Sequence, residues 1–144
     1  MSGLNGKVAL VTGAAAKRSM GRAIALQLGK EGAHVAVADR EAAPKSIWPG
    51  DEDWAGLAAV VGEIEGWGSK GLAITADVSS AADVDAMVAR TVEEFGKLDI
   101  LVHCVGARGP VPVSVVALAV ATWRMLLDVN LTGAFLTARA AARA

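Results

Sequence analysis

Short apolar runs and amphipathic stretches alternate along the chain, and their periods predict four strands, each followed by a helix. Residues 8–11 are nearly all apolar between Lys7 and Thr12-Gly13, the pattern of a strand buried on both faces of a parallel sheet. From Met20 to Glu31, Ile24 and Leu28 share a stripe with Ala23, Ala25 and Leu26 beside them, and Gly32 supplies a helix stop. Residues 34–38 form a second β-branched run ending in Asp39, and residues 55–64 read as a helix closed near Gly66. A weaker third strand, 72–75, ends at Asp77-Val78. Ser80 and Asp83 then have capping-box spacing ahead of a long helix. In that helix Val84, Met87, Val88, Thr91, Val92 and Phe95 make one continuous face, and Gly96 ends it. Residues 98–105 form a fourth strand. The last helix runs over 122–143 with Trp123, Leu126, Leu127, Asn130 and Leu131 toward one side.

This order predicts an α/β fold with a parallel sheet and helices on both faces. Only residues 41–53 interrupt it, because strand-to-helix connections usually take about 2–6 residues. That segment carries Pro44, Trp48, Pro49 and a run of acids. It reads as an insertion, a surface excursion pinned by Trp48 and Trp54; the alternative is a flap beside a nucleotide site.

Composition narrows the function classes. At 144 residues one domain is expected, and a formal charge of −1 with scattered basic residues excludes a long-range attraction to nucleic acid or anionic lipid. Residues 1–7 do not resemble a secretory leader. The apolar run 111–122, entered through Pro110 and Pro112, is too short for a membrane span and is expected to be a buried connection. Cys104 is the one cysteine, so no internal disulfide exists and a cytoplasmic location is expected. His103 lies beside Cys104, but neighbours on a strand point to opposite faces and the other histidine is His34, so no metal site is expected.

The first strand runs directly into Thr12-Gly13-Ala14-Ala15-Ala16-Lys17-Arg18-Ser19-Met20-Gly21, and a helix starts where that loop ends. Glycines let backbone approach a pyrophosphate, and a helix N-terminus offers unpaired N–H groups with a partial positive charge. The loop is therefore a candidate phosphate cradle, with a plain packing turn as the alternative. Asp39, ending the second strand, is placed to accept hydrogen bonds from an adenosine ribose and to repel a 2′-phosphate, favouring NAD over NADP. Arg40, Lys17 and Arg18 could instead neutralise that phosphate.

With these residues in place the chain resembles the short-chain dehydrogenase/reductase family along its whole length. The family's Thr-Gly-x-x-x-Gly-x-Gly loop is represented by Thr12, Gly13 and Gly21, with two extra residues and no middle glycine; Gly13, Ser19 and Gly21 are similar to the loop of its enoyl-reductase branch and of some ordinary dehydrogenases, which leaves the subclass open. By resemblance Asp77 and Val78 would face the adenine edge, Gly106 would be the surviving glycine of an Asn-Asn-Ala-Gly segment, and Met20 would belong to the cofactor loop. Asn130 would sit in a local helix distortion and order a water for proton relay, making it the one catalytic residue recognised here.

The resemblance implies a Rossmann-like doubly wound sheet in the order 3-2-1-4. It further implies an oxidoreductase moving a hydride between nicotinamide and a small alcohol or carbonyl substrate. The family's proton partner is a Tyr with a Lys four residues later, and this chain contains no Tyr; Ser114 lies too early to be the family's serine. The chain is therefore expected to be the N-terminal part of such an enzyme, one cofactor-binding domain incomplete at its C-terminus and inactive alone. A non-catalytic nucleotide-binding or interaction module is the alternative. The fourth strand would remain an apolar edge, and a homo-oligomer is expected.

Overall fold

The computed structural model describes residues 3–46, 48–110 and 113–144. Strands β1 (Val8–Thr12), β2 (His34–Asp39), β3 (Gly71–Thr75) and β4 (Ile100–His103) form one parallel sheet in the order β3-β2-β1-β4. Helices α1 (Met20–Lys30), α2 (Leu57–Glu65), α3 (Ala81–Phe95), α4 (Val120–Leu127) and α5 (Gly133–Arg143) accompany it. A 3-10 turn covers Val115–Ala117, and a π turn over Asp128–Thr132 joins α4 to α5. This is the parallel α/β sheet that the alternating pattern predicts, in the Rossmann-like order that the family resemblance implies.

β1 lies at the centre, with Val11 paired to Val37 on one side and Val102 on the other, and all five of its residues are buried. Successive side chains on a strand leave opposite faces, so the sheet has two cores. Ala9, Val11, Val35 and Val37 pack with Ala25 of α1 and with Leu57, Val60 and Ile64 of α2. Leu10, Ala36 and Ile74 face the other way, onto Val84, Met87 and Val88 of α3 and Leu136 and Ala140 of α5. Continuous apolar runs are what strands covered on both sides require.

Local chemistry fixes the ends. Ser80 Oγ accepts from the Asp83 N–H at 3.3 Å, so the predicted cap opens α3, and Gly96 closes it in the left-handed region at φ 82°. Asp99 accepts from the Val8 N–H at 2.9 Å, with Lys7 and Lys97 at 3.2 and 3.0 Å, which ties the loop before β4 to the start of β1.

Four details differ from the pattern-based expectations. Helix α2 starts at Leu57 instead of residue 55, because Gly56 adopts φ 62° and ψ −133° while the Leu57 N–H donates to the Ala42 carbonyl at 2.7 Å. β4 is shorter than 98–105, since regular pairing is available only along β1 from Ala9 to Thr12. The last helix is interrupted by the π turn, and α4 buries none of its residues: Trp123, Leu127 and Leu131 face outward, while α5 makes the core contacts. Finally, the apolar run is not a buried connection, because Val115 and Val116 are 91% and 96% exposed; Val111 and Pro112 lie outside the described residues. Among the described residues no helix is long and apolar enough to cross a membrane.

Candidate functional site

The carboxyl ends of the parallel strands gather most of the candidate residues. Gly13 follows β1 at φ 72°, and a Cβ there would come within 2.7 Å of the Cys104 carbonyl oxygen, so the loop passes close to the chain leaving β4. A Cβ on Gly21 would collide with the Gly13 carbonyl oxygen and lie 2.7 Å from its carbon. Two glycines thus set the closeness of β1, α1 and the end of β4. Ser19 is the N-cap of α1: its Oγ accepts from the Arg22 N–H at 3.1 Å. The N–H groups of Met20 and Gly21 precede the first intrahelical bond and present the positive end of the helix dipole. The Met20 side chain itself is largely exposed.

Asp39 stands at the end of β2. Its Oδ2 accepts from the Ala15 N–H at 3.0 Å and its Oδ1 from the Arg40 N–H at 2.8 Å, so the carboxylate is oriented by the glycine loop on one side and its own strand end on the other. Across the sheet, Asp77 Oδ1 accepts from the Ser79 hydroxyl at 2.6 Å and the Ser79 N–H at 2.9 Å; the two bonds hold its carboxyl below the usual carboxylate range. Asp39, Asp77, Val78 and Gly106 line one open cavity of about 410 Å³, together with Pro44 and Met125. The loop residues Gly13, Ser19, Met20 and Gly21 are not among its lining.

Asn130 occupies the π turn. Its Oδ1 accepts from the Ala107 N–H and its Nδ2 donates to the Ala107 carbonyl, each at 2.9 Å, a two-bond clamp between the π turn and the segment after β4. Single π turns inside helices are frequent at functional sites. Here the Asn130 side chain secures the rim beside Gly106. His103 Nδ1 is 3.2 Å from Thr12 Oγ1, with burial pushing the imidazole pKa down. Cys104 is half-buried, and among the described residues no three His, Cys, Asp or Glu side chains gather as a metal site.

The way residues 41–53 attach is not visible in the sequence pattern. Trp54 Nε1 donates to the Ala15 carbonyl at 2.7 Å, while Asp51 is 3% exposed and paired with Lys17 and Arg18 of the glycine loop. With Glu41 and Pro44 bordering the cavity, the excursion lies against the candidate site, and Trp54 pins it whereas Trp48 is mostly exposed. Three consecutive acids, Asp51, Glu52 and Asp53, look alike in sequence, and only the fold buries one of them.

The paired acids imply a pH dependence. Arg18 holds the Asp51 carboxyl down to about 2, and the Val8 N–H and Lys97 hold Asp99 to about 2, against an ordinary value of 3.8. A carboxyl depressed in the folded state contributes stability that is complete above its unfolded value and lost as pH falls through the folded one. Urea midpoints are therefore expected to fall between pH 3.8 and about 2, and Asp99→Asn should flatten that decline. An unchanged profile in the variant would contradict the pairing.

A doubly wound parallel sheet with a glycine loop after β1 and an acid after β2 defines the dinucleotide-binding type of α/β protein. The model of the short chain dehydrogenase family matches residues 7–144, and this chain belongs to that family. It is 38% identical over 143 residues to an uncharacterized oxidoreductase of Methylorubrum extorquens, covering 99% of this chain and 52% of that protein. A short-chain type dehydrogenase/reductase from Mycobacterium marinum superposes with a TM-score of 0.83 at 36% identity, covering 99% of this chain and 51% of that one. A Burkholderia cenocepacia short chain dehydrogenase crystallised in complex with NADP gives 0.78 at 36% identity, covering 97% and 51%. The chain spans about half the length of the curated relatives it matches.

Proposed function

We propose that these residues form the adenosine and pyrophosphate part of a nicotinamide-dinucleotide site in an oxidoreductase acting on a small alcohol or carbonyl compound. The cofactor is NAD in preference to NADP. The observation that carries this reading is the Asp39 carboxylate, anchored by the Ala15 N–H and directed at the same cavity as Asp77 and Val78. The glycine loop fits a pyrophosphate on independent grounds: a Cβ at Gly21 would fill the approach to Gly13, and the α1 terminus supplies N–H donors. Gly13, Ser19, Met20 and Gly21 would hold the pyrophosphate, Asp39 the ribose hydroxyls, Asp77 and Val78 the adenine edge, with Gly106 completing the rim.

When bound, the dinucleotide supplies hydride transfer at the nicotinamide C4. The Asn130 clamp on Ala107 keeps the rim beside Gly106 in place, and with it the surface on which a relay water would be ordered. The 144 residues hold no Tyr, so no residue here is assigned the transfer of the substrate proton.

Calorimetric titration with NAD and with NADP tests the site. Tighter binding of NAD is expected. Asp39→Ala should weaken NAD about tenfold or more, the loss of charge-assisted hydrogen bonds to the ribose. Unchanged NAD affinity in that variant, or preference for NADP in the parent, would overturn the ribose assignment.

A further inference from the structure

The glycine loop carries two cations, Lys17 and Arg18, and both are held by residues of the 41–53 flap. Arg18 Nε and Nη2 donate to the two Asp51 carboxylate oxygens at 2.9 and 3.3 Å. Lys17 Nζ lies 3.1 Å from Asp51 Oδ1 and donates at 3.1 Å to the Gly50 carbonyl. Ser46 Oγ adds a third donor at 3.2 Å, and the Arg18 guanidinium lies over the Trp48 ring at 5.5 Å. The next cation along, Arg22, is also committed, with Nε and Nη2 on the Glu63 carboxylate at 2.9 and 2.6 Å. A nearly fully buried carboxylate that satisfies two cations at once is an expensive arrangement to keep on a surface loop.

Its position gives it a consequence for recognition. Ala15, two residues before Lys17, donates its N–H to Asp39 and accepts from Trp54, so the loop touches the ribose-side acid and the flap within one residue. A 2′-phosphate placed beside Asp39 would meet a carboxylate and find Lys17 and Arg18 already paired, while Arg40, which lines the same cavity, has a loose 3.7 Å pairing with Glu41.

We infer that Asp51 is a specificity-determining residue: by holding Lys17 and Arg18 on the flap it withholds them from a 2′-phosphate at the adenosine ribose, and with Asp39 it shifts the preference toward NAD. This inference rests on the proposed dinucleotide site and assigns a second acid to its selectivity. Asp39 excludes the phosphate by direct repulsion. Asp51 acts through the two cations, which makes it a positioning residue.

The test is calorimetric titration of the chain with NAD and with NADP for the parent, Asp51→Asn, Arg18→Ala and Asp39→Asn. Asp51→Asn keeps the side-chain shape and removes the charge. It should shift the NADP-to-NAD affinity ratio toward NADP by about tenfold, the size of one regained charge-assisted contact. Adding Lys17→Ala and Arg18→Ala to that variant should return the ratio to the parent value. In the parent, Arg18→Ala should leave NADP affinity within about twofold, since a cation already paired contributes little to the phosphate.

A folded Asp51→Asn with an unshifted ratio overturns the inference. So does a tenfold loss of NADP affinity in Arg18→Ala, a measurement that decides the matter even if Asp51→Asn does not fold. A ratio that responds to Asp39→Asn and not to Asp51→Asn removes the role of Asp51 and leaves the ribose assignment standing, whereas a parent that binds neither dinucleotide removes both.

Discussion

Replacing Gly21 with Ala is expected to abolish most dinucleotide binding, because the added methyl group has only backbone to displace. Its Cβ would collide with the Gly13 carbonyl oxygen, lie 2.7 Å from the Gly13 carbon and 3.1 Å from Ala14 Cα. Gly13 cannot retreat, since it is itself pressed against the Cys104 carbonyl and held in the left-handed region. The remaining relaxation is for the start of α1 to move away from the end of β1, which opens the cradle between them. Overpacking of this kind costs about 1–3 kcal/mol. If that cost falls on the bound geometry, NAD affinity drops about ten- to a hundredfold. Titration calorimetry reads the loss, and Gly62→Ala is the matched control: its Cβ would meet nothing within 4 Å, in the middle of α2, so it should gain a few tenths of a kcal/mol to about 1 kcal/mol of stability and keep its affinity. Parent-like binding by Gly21→Ala would mean that the pyrophosphate does not lie on this loop.

The parts of the fold legible in the sequence are those set by local periods. The α3 stripe from Val84 to Phe95 and its Ser80 cap need only neighbours within two turns, and the buried runs of β1 and β2 announce a sheet covered on both faces. β4 was legible as a strand but not in length, because its ends depend on how far β1 offers a partner. Outward-facing Val115, Val116 and Trp123 show the limit of hydrophobicity as a guide: it says that a residue favours cover, not which element supplies it. At the site, Asp39, Asp77, Val78 and Gly106 converge because each follows the carboxyl end of a strand in one parallel sheet. The interruption at Asn130 came from family resemblance, since a helical period cannot reveal one extra residue in a turn. Asp51 was illegible, as its burial depends on Lys17 and Arg18 more than thirty residues away.

Leu10→Ala is expected to be the most destabilising single truncation, and it separates loss of fold from loss of site. Leu10 is fully buried in the central strand and faces the cluster that holds Val84, Met87 and Leu136. Removing such a side chain costs about 2–5 kcal/mol, the higher end applying where neighbours cannot collapse into the space, as between a sheet and two helices. Whole domains are stable by about 5–15 kcal/mol, so the midpoint of thermal unfolding should fall by roughly 10–20 °C. Leu101, on the half-exposed β4 and packed at the margin of the same cluster, should cost less when truncated, because part of its surface is already in water. The two lesions then respond differently to ligand. Leu10→Ala leaves the cradle intact in its folded molecules, so NAD at about a hundred times its dissociation constant should restore about 2.7 kcal/mol. Gly21→Ala should recover only about 0.4–1.4 kcal/mol at the same concentration, because a ten- to hundredfold loss of affinity leaves NAD at about one to ten times the variant's dissociation constant. Equal rescue of both variants would place the bound dinucleotide somewhere other than the junction of β1 and α1.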